Sequence, residues 1–345
     1  MIKDIKELTQ LNGIPSKEKE VIDYLVNKLG QPDLKDNLGS IDYKKGHGKR
    51  VMLAAHTDEV GMIVKSITQD GFIKFQPVGA IYQENILGHM FNITTKSLKV
   101  YPALMAHKPL MLRSVDEKEK ALPMKDFFLD AGFKSKEEVL KAGIQIGDMI
   151  TPIGDLVELA NDKIASKALD DRIGVYILKE VYKNIGKINC ELHTAFTVSE
   201  EFGLKGAKTI SYLVEPDLAI AVDVGAGFDV PGGDKEGNTL GAGPQIYAYD
   251  AGLIAHQGLR HYVLNIAKEN NIPYQESVMN FGRTDAAMMS LSKAGAPSLF
   301  IGIPTRYIHS NYAVIDKNDV LNTIQLLIKF VESLDEEKIN QIILG

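Results

Sequence analysis

Apolar and polar positions follow two different rhythms along this chain, and the change between them divides it. From Ile2 to Leu11, and again from Ser16 toward Leu29, apolar residues recur at helical spacing. Ser16 reads as the N-cap of the second helix, with Glu18 and Glu20 near its first turn, where negative charge suits the helix dipole. Lys19 stands where a full capping box has Glu. Gly39 to Tyr43 and Arg50 to Ala55 read as strands, the second apolar enough to lie inside a sheet.

From about Lys65 to Pro152 the texture changes to short alternating segments broken by glycine, such as Gly71 to Phe75 and Phe91 to Thr94, which predict a small β domain. Helices are expected at about Met124 to Ala131 and at Ser135 to Ala142, where Ser135 and Glu138 stand in capping-box register. After Ala165, helices and strands alternate to the end: helix from Asp171 to Tyr182, strand from Cys190 to Val198, helix from Leu204 to Leu213, strand from Asp217 to Val224. A helix from Gln257 to Asn270, a strand from Pro297 to Ile303 and a closing helix from Lys317 to Leu334 complete the series. The expected architecture is therefore an α/β domain, residues 1–65 and 157–345, carrying an inserted small β-rich domain, residues 66–156.

Composition narrows the function. A chain of 345 residues is long enough for two cores, and 45% hydrophobic content is ample to build them. With 39 Lys and Arg against 45 Asp and Glu there is no overall basic field, so nucleic acid is not an expected partner. Cys190 is the only cysteine, which excludes an intramolecular disulfide, leaves any metal site to His and carboxylates, and reads as an inert buried thiol. Neither a signal peptide nor a membrane-spanning run is evident, so a cytoplasmic location is expected.

The candidate chemistry lies at the ends of the strand-like runs, which in an open α/β sheet line a common crevice. His56 ends the run Val51 to Ala55, and Asp58, on the same face of an extended chain, is placed to hold the imidazole in one tautomer. A buried strand-end His is more often a hydrogen-bonded core residue, and His309 alone would read as a loop histidine bonded to backbone. Asp170 and Asp171 precede a helix, where capping is the simpler role and bridging of two cations the sharper one for Asp170. Glu200 and Glu201 follow a strand, so both reach one cleft only if the backbone leaves strand geometry, and Gly203 makes such a break easy. Such a pair divides naturally into one metal ligand and one general base, although alone it would read as two solvated glutamates. Asp223 lies in an apolar strand, where an unpaired carboxylate is costly.

Together these segments resemble the glutamyl and tetrahedral (deblocking) aminopeptidases. The resemblance is carried by His56-Thr-Asp58-Glu-Val-Gly, Ala168-Leu-Asp170-Asp-Arg172, Ser199-Glu-Glu-Phe-Gly203-Leu-Lys-Gly206-Ala, Thr284-Asp285-Ala286 and Pro304-Thr-Arg-Tyr-Ile-His309-Ser. It spans essentially the whole chain. It implies a three-layer metallopeptidase catalytic domain with a mixed sheet and a metal-dependent aminopeptidase acting on short peptides through a metal-bridging water. It further implies two divalent ions, zinc or cobalt: His56 and Asp223 on one, Glu201 and His309 on the other, Asp170 bridging them, Glu200 as general base and Asp58 orienting His56. A cis peptide between Asp170 and Asp171 is expected on the same ground.

The sequence departs from the resemblance at Arg283, where relatives usually carry a second glycine; its guanidinium suits an acidic substrate side chain, or else a structural salt bridge. The insert, with alternating apolar residues at Ile81, Ile86, Leu87, Met90 and Phe91, is expected to expose an association surface. By resemblance it would join protomers into dimers and dimers into a dodecamer. The rival readings are a deacylase or carboxypeptidase of the same clan and a catalytically inactive metal-binding scaffold.

Overall fold

A computed structural model describes residues 1–114 and 122–345. Its spine is a large mixed sheet of 12 strands. Four strands at its centre run parallel, in the order Glu191–Thr197, Arg50–His56, Leu218–Ala226 and Ser298–Arg306. Their near-continuous apolar sequences reflect burial on both faces. Antiparallel strands, among them Ile41–Gly46 and Ala313–Asp316, extend the sheet on either side.

Helices cover both faces and make three layers. Ile2–Gln10, Leu169–Asn184, Gln257–Glu269 and Lys317–Ser333 bury their apolar stripes in one core with the sheet, including Leu8, Ile177, Val263 and Phe330. Lys205–Val214 and Asp285–Met289 pack on the opposite face through Ile210, Val214 and Met289. Two cations are drawn wholly into the first core and carry their own partners: Lys179 reaches Asp4 at 2.6 Å and Glu180 at 2.9 Å, and Arg172 donates to the carbonyls of Thr57, Leu8 and Leu11. No described helix is long and apolar enough to cross a membrane.

After His56 the chain leaves the sheet and enters a closed barrel of six strands, from Gly61–Ile67 to Met149–Pro152. Met62, Phe91, Ile93, Met105, Leu129 and Ile150 fill it. A two-faced strand supplies one inward residue in two, and a closed barrel removes the edges that would otherwise pair with other chains.

Several local expectations are corrected. Ser16 is not an N-cap: the helix starts at Lys19, Glu18 takes the cap position, and Ser16 has a positive φ of 69°. The helix expected at Met124 to Ala131 is a single 3-10 turn, Met124–Asp126, followed by the strand Phe128–Asp130, because Phe127 and Leu129 are claimed by the barrel core. Ser135 does cap its helix, but the Glu138 carboxylate accepts from Lys134 N rather than from Ser135 N. Of the apolar residues expected on the surface of the insert, Ile86 and Phe91 are buried, and Ile81 and Leu87 pack against the barrel core. Met90 alone of the five is exposed.

Candidate active site

The carboxyl ends of the four parallel strands meet at one cleft, and the sequence places a titratable residue at or just beyond each. His56 ends its strand, Asp223 lies near the end of the next, and Glu200 and Glu201 follow the strand that stops at Thr197. His309 follows the strand that stops at Arg306. Asp170 follows the outer strand Lys163–Ser166, at the start of the helix Leu169–Asn184, where it and Asp171 have non-helical backbone angles and are joined by the expected cis peptide.

These side chains converge. His56 Nε2 lies 3.1 Å from Asp170 Oδ1 and 3.6 Å from Asp223 Oδ1. His309 Nε2 lies 3.1 Å from Asp170 Oδ2 and 3.2 Å from Glu201 Oε1. Asp170 thus belongs to two clusters, His56–Asp170–Asp223 and Asp170–Glu201–His309, in each of which the donor atoms lie within 4.8 Å of one another. A further cluster joins His56, Glu200 and Glu201.

Asp171 does what capping predicts, accepting from Gly174 N and also from His56 N. Asp58 is buried, but its carboxylate stands 3.6 Å from His56 Nδ1, and the hydrogen-bonding distance of 3.1 Å is to the Asp58 carbonyl. The carboxylate instead accepts from Glu200 N and Glu201 N, one on each oxygen at 3.0 Å. The break that lets both glutamates face the cleft begins at Ser199, with φ 56°, ahead of Gly203. A left-handed residue other than glycine costs about 1–3 kcal/mol and persists only where its surroundings fix it.

Burial dominates the electrostatics. It raises Glu200 well above the carboxylate range and raises Glu201 and Asp223. It also works against the charged form of His309, yet Glu201 and Asp170 outweigh it and push the imidazole up to about 11. Burial opposes ionisation of Asp170 as well, but His309 and His56 hold it below its ordinary value. Asp285, bonded by Thr197 Oγ1, is pushed up to about 7 by burial. Among the described residues no Lys or Arg forms an ion pair with Asp170, Glu200, Glu201 or Asp223. So many carboxylates against two imidazoles fit a site that receives cations, and His and carboxylate oxygens are suitable donors for them.

The cleft beside these groups has a volume of 450 Å³. Ala80 and Tyr82 line it from the barrel, facing Met279, Phe281, Arg283, Tyr307 and Ile308. Arg283 is exposed and forms no salt bridge among the described residues. Sequence reasoning did not assign the wall residues Tyr82, Met279, Phe281 and Tyr307, nor the buried cluster of Glu59, Lys167 and Arg172 behind His56, where Lys167 Nζ meets Glu59 at 2.8 Å. Glu59 and Arg172 lay inside the quoted segments, and a charged residue within such a run was the available signal.

This three-layer fold, with a His and carboxylate cluster at the end of its parallel strands, is that of a metal-dependent aminopeptidase. The chain belongs to the M42 glutamyl aminopeptidase family, whose model matches residues 39–326. The glutamyl aminopeptidase of Lactococcus lactis subsp. cremoris is 33% identical over 350 residues, covering 98% of this chain and 98% of that protein. An aminopeptidase from the archaeon Desulfurococcus kamchatkensis superposes with a TM-score of 0.94 at 35% identity, covering 99% of this chain and 97% of that one. The TET1 peptidase of Pyrococcus horikoshii, which can assemble into a tetrahedron or a large octahedral shell, superposes with a TM-score of 0.87 at 29% identity, covering 96% and 99% of the two chains.

Ligands must shed their protons to bind a cation. Because Glu201, Asp223 and His309 all hold protons more tightly than usual in the cation-free protein, loading with a divalent ion should release protons, and affinity should rise with pH by about tenfold per unit for each proton released. Calorimetry in two buffers of different ionisation enthalpy checks this, and heats independent of buffer would refute it.

Proposed function

We propose that the cleft holds two divalent ions, zinc or cobalt, and hydrolyses the first peptide bond of short peptides. His56 and Asp223 would hold one ion, Glu201 and His309 the other, with Asp170 between them. The observation that carries this reading is the two-sided engagement of Asp170, one oxygen toward each histidine at 3.1 Å. Bound ions would polarise the scissile carbonyl and lower the pKa of the attacking water.

Glu200 is the general base. It is buried beside the cluster and stands in the cleft, and its strongly raised affinity for a proton suits a group that takes one from water and passes it to the departing amine. Asp58 is a positioning residue whose two oxygens fix the Glu200 and Glu201 amides, while its carbonyl faces His56 Nδ1 and favours the tautomer with the proton there. The convergence of His56 and His309 with the complete base-and-ligand set supports an aminopeptidase over an inactive scaffold.

Arg283 is assigned to substrate. Forming no salt bridge among the described residues and standing on the cleft wall, it offers a guanidinium to an acidic N-terminal side chain. The segment 66–156, whose first barrel strand reaches back to Gly61, is assigned to dimerisation, with dimers building a dodecamer in the cytoplasm. Its exposed apolar residues support this: Leu98 is 71% exposed and Met111 86%, with Met90, Val100, Leu104 and Leu112 also outward. An enclosed chamber would admit short peptides and exclude folded proteins.

Replacing Glu200 by Gln should leave two ions per chain by metal analysis while lowering kcat about a hundredfold to ten-thousandfold. Loss of an ion would exchange its role with that of Glu201. Arg283→Ala should lower kcat/KM for Glu and Asp substrates about tenfold relative to Ala and Leu substrates, the scale of one charge-assisted pair; an unchanged ratio removes Arg283 from recognition. Light scattering at micromolar concentration should give a mass twelve times that of the chain, and a particle near monomer mass would defeat the assembly assignment.

A further inference from the structure

We infer that Glu18, in the loop before the helix Lys19–Leu29, is a positioning residue for the peptidase reaction, fixing the turn that presents Glu200 and Glu201. Glu18 lies far from the cleft in sequence and outside its lining, yet it is 4% exposed and its Oε1 is fully engaged. That oxygen accepts from Ser199 N at 2.9 Å, from Ser16 N at 2.8 Å and from Ser199 Oγ at 3.4 Å. Ser16 N also donates to Ser199 Oγ at 3.1 Å, so the two serines are clasped around one carboxylate oxygen.

The turn has three successive backbone amides with no strand partner to satisfy them. Asp58 takes those of Glu200 and Glu201, and Glu18 takes that of Ser199. Ser199 is the residue with the left-handed backbone, the point at which the chain leaves the strand direction. Lys205 N donates to Ser199 O at 3.2 Å and Gly203 N and Leu204 N to Glu200 O, but the Glu18 oxygen is the acceptor for the Ser199 N–H, and without it that amide at the point of the break loses its partner. The loop that carries Glu18 is itself pinned: Gly13 N donates to Glu59, Glu59 N donates to Gly13 O, and Arg172 donates to Leu11 O. The inference rests on the assignment of Glu200 as base and Glu201 as ligand.

What Glu18 supplies is an acceptor, not a charge, and this separates positioning from a general electrostatic effect. Three variants test it, each checked for its unfolding midpoint. Glu18→Gln keeps an acceptor at Oε1 and should retain the wild-type kcat and divalent-ion affinity. Glu18→Leu removes the acceptor, and Glu18→Asp keeps the charge but falls one methylene short of Ser199 N. Both should lower kcat about tenfold to a hundredfold, the cost of a misplacement on the order of 1 Å, with KM little changed. Both should also weaken binding of the second cobalt ion, followed by calorimetry on the metal-free protein, because Glu201 moves with the turn. Should Glu18→Leu fail to fold, Glu18→Asp decides.

Wild-type kcat and cobalt affinity in Glu18→Asp and Glu18→Leu would overturn the inference, as would Glu18→Gln behaving like Glu18→Leu. Glu200→Gln, assayed alongside, separates the two levels. If it stays active, the assignment of the base fails; if it is inactive while the Glu18 variants match wild type, only the positioning inference fails.

Discussion

Negative charge is concentrated at the carboxyl edge of the sheet, and the architecture around it answers the problem of keeping that charge dry. Asp58, Asp171, Glu200 and Asp223 are all buried, with Asp170 and Glu201 beside them. An unpaired carboxylate in such surroundings is expensive, so each must find donors or give up its ionisation. Asp58 meets two backbone N–H groups and Asp170 two imidazoles, whereas Asp171, despite the amides of Gly174 and His56, is still raised well above the carboxylate range by burial. Glu200, Glu201 and Asp223 do not solve it within the protein, and their affinity for protons rises accordingly.

Most of this was legible because the parallel sheet imposes a simple code. An apolar run ending in His56, or enclosing Asp223, identifies both the strand and the place where its side chain emerges. The closing elements were equally plain, since the helix Lys317–Ser333 and the strand Ser298–Arg306 carry strong periodic signals within a residue or a few of their observed limits. Cys190 is buried and its thiol is pushed up to about 11 by burial, as an inert core cysteine should be.

What was not legible depended on contacts between distant segments. Phe127 and Leu129 read as helix by local spacing, but closing a barrel places Leu129 opposite Ile73 and Met105, a tertiary demand that no local window contains. Ser16 looked like a cap because capping is judged from the residues that follow it, whereas its N–H is committed to Glu18 and Ser199. Asp58 was assigned to its sequence neighbour His56, two residues away. Its carboxylate is taken by amides that the fold brings from the next strand. Side-chain partners set by sheet order are invisible until the order is known.

Only Thr57, Asp58, Glu59 and Val60 separate His56 from Gly61, the first residue of the barrel. The same short connection therefore serves as a mechanical joint and carries Asp58, which accepts from the amides of Glu200 and Glu201. Lys167 and Arg172 brace it at Glu59, from the body of the sheet domain. Ala80 and Tyr82 project from the barrel onto the cleft wall. A torque applied to the barrel would be delivered, through those four residues, to the imidazole and to the mouth of the cleft.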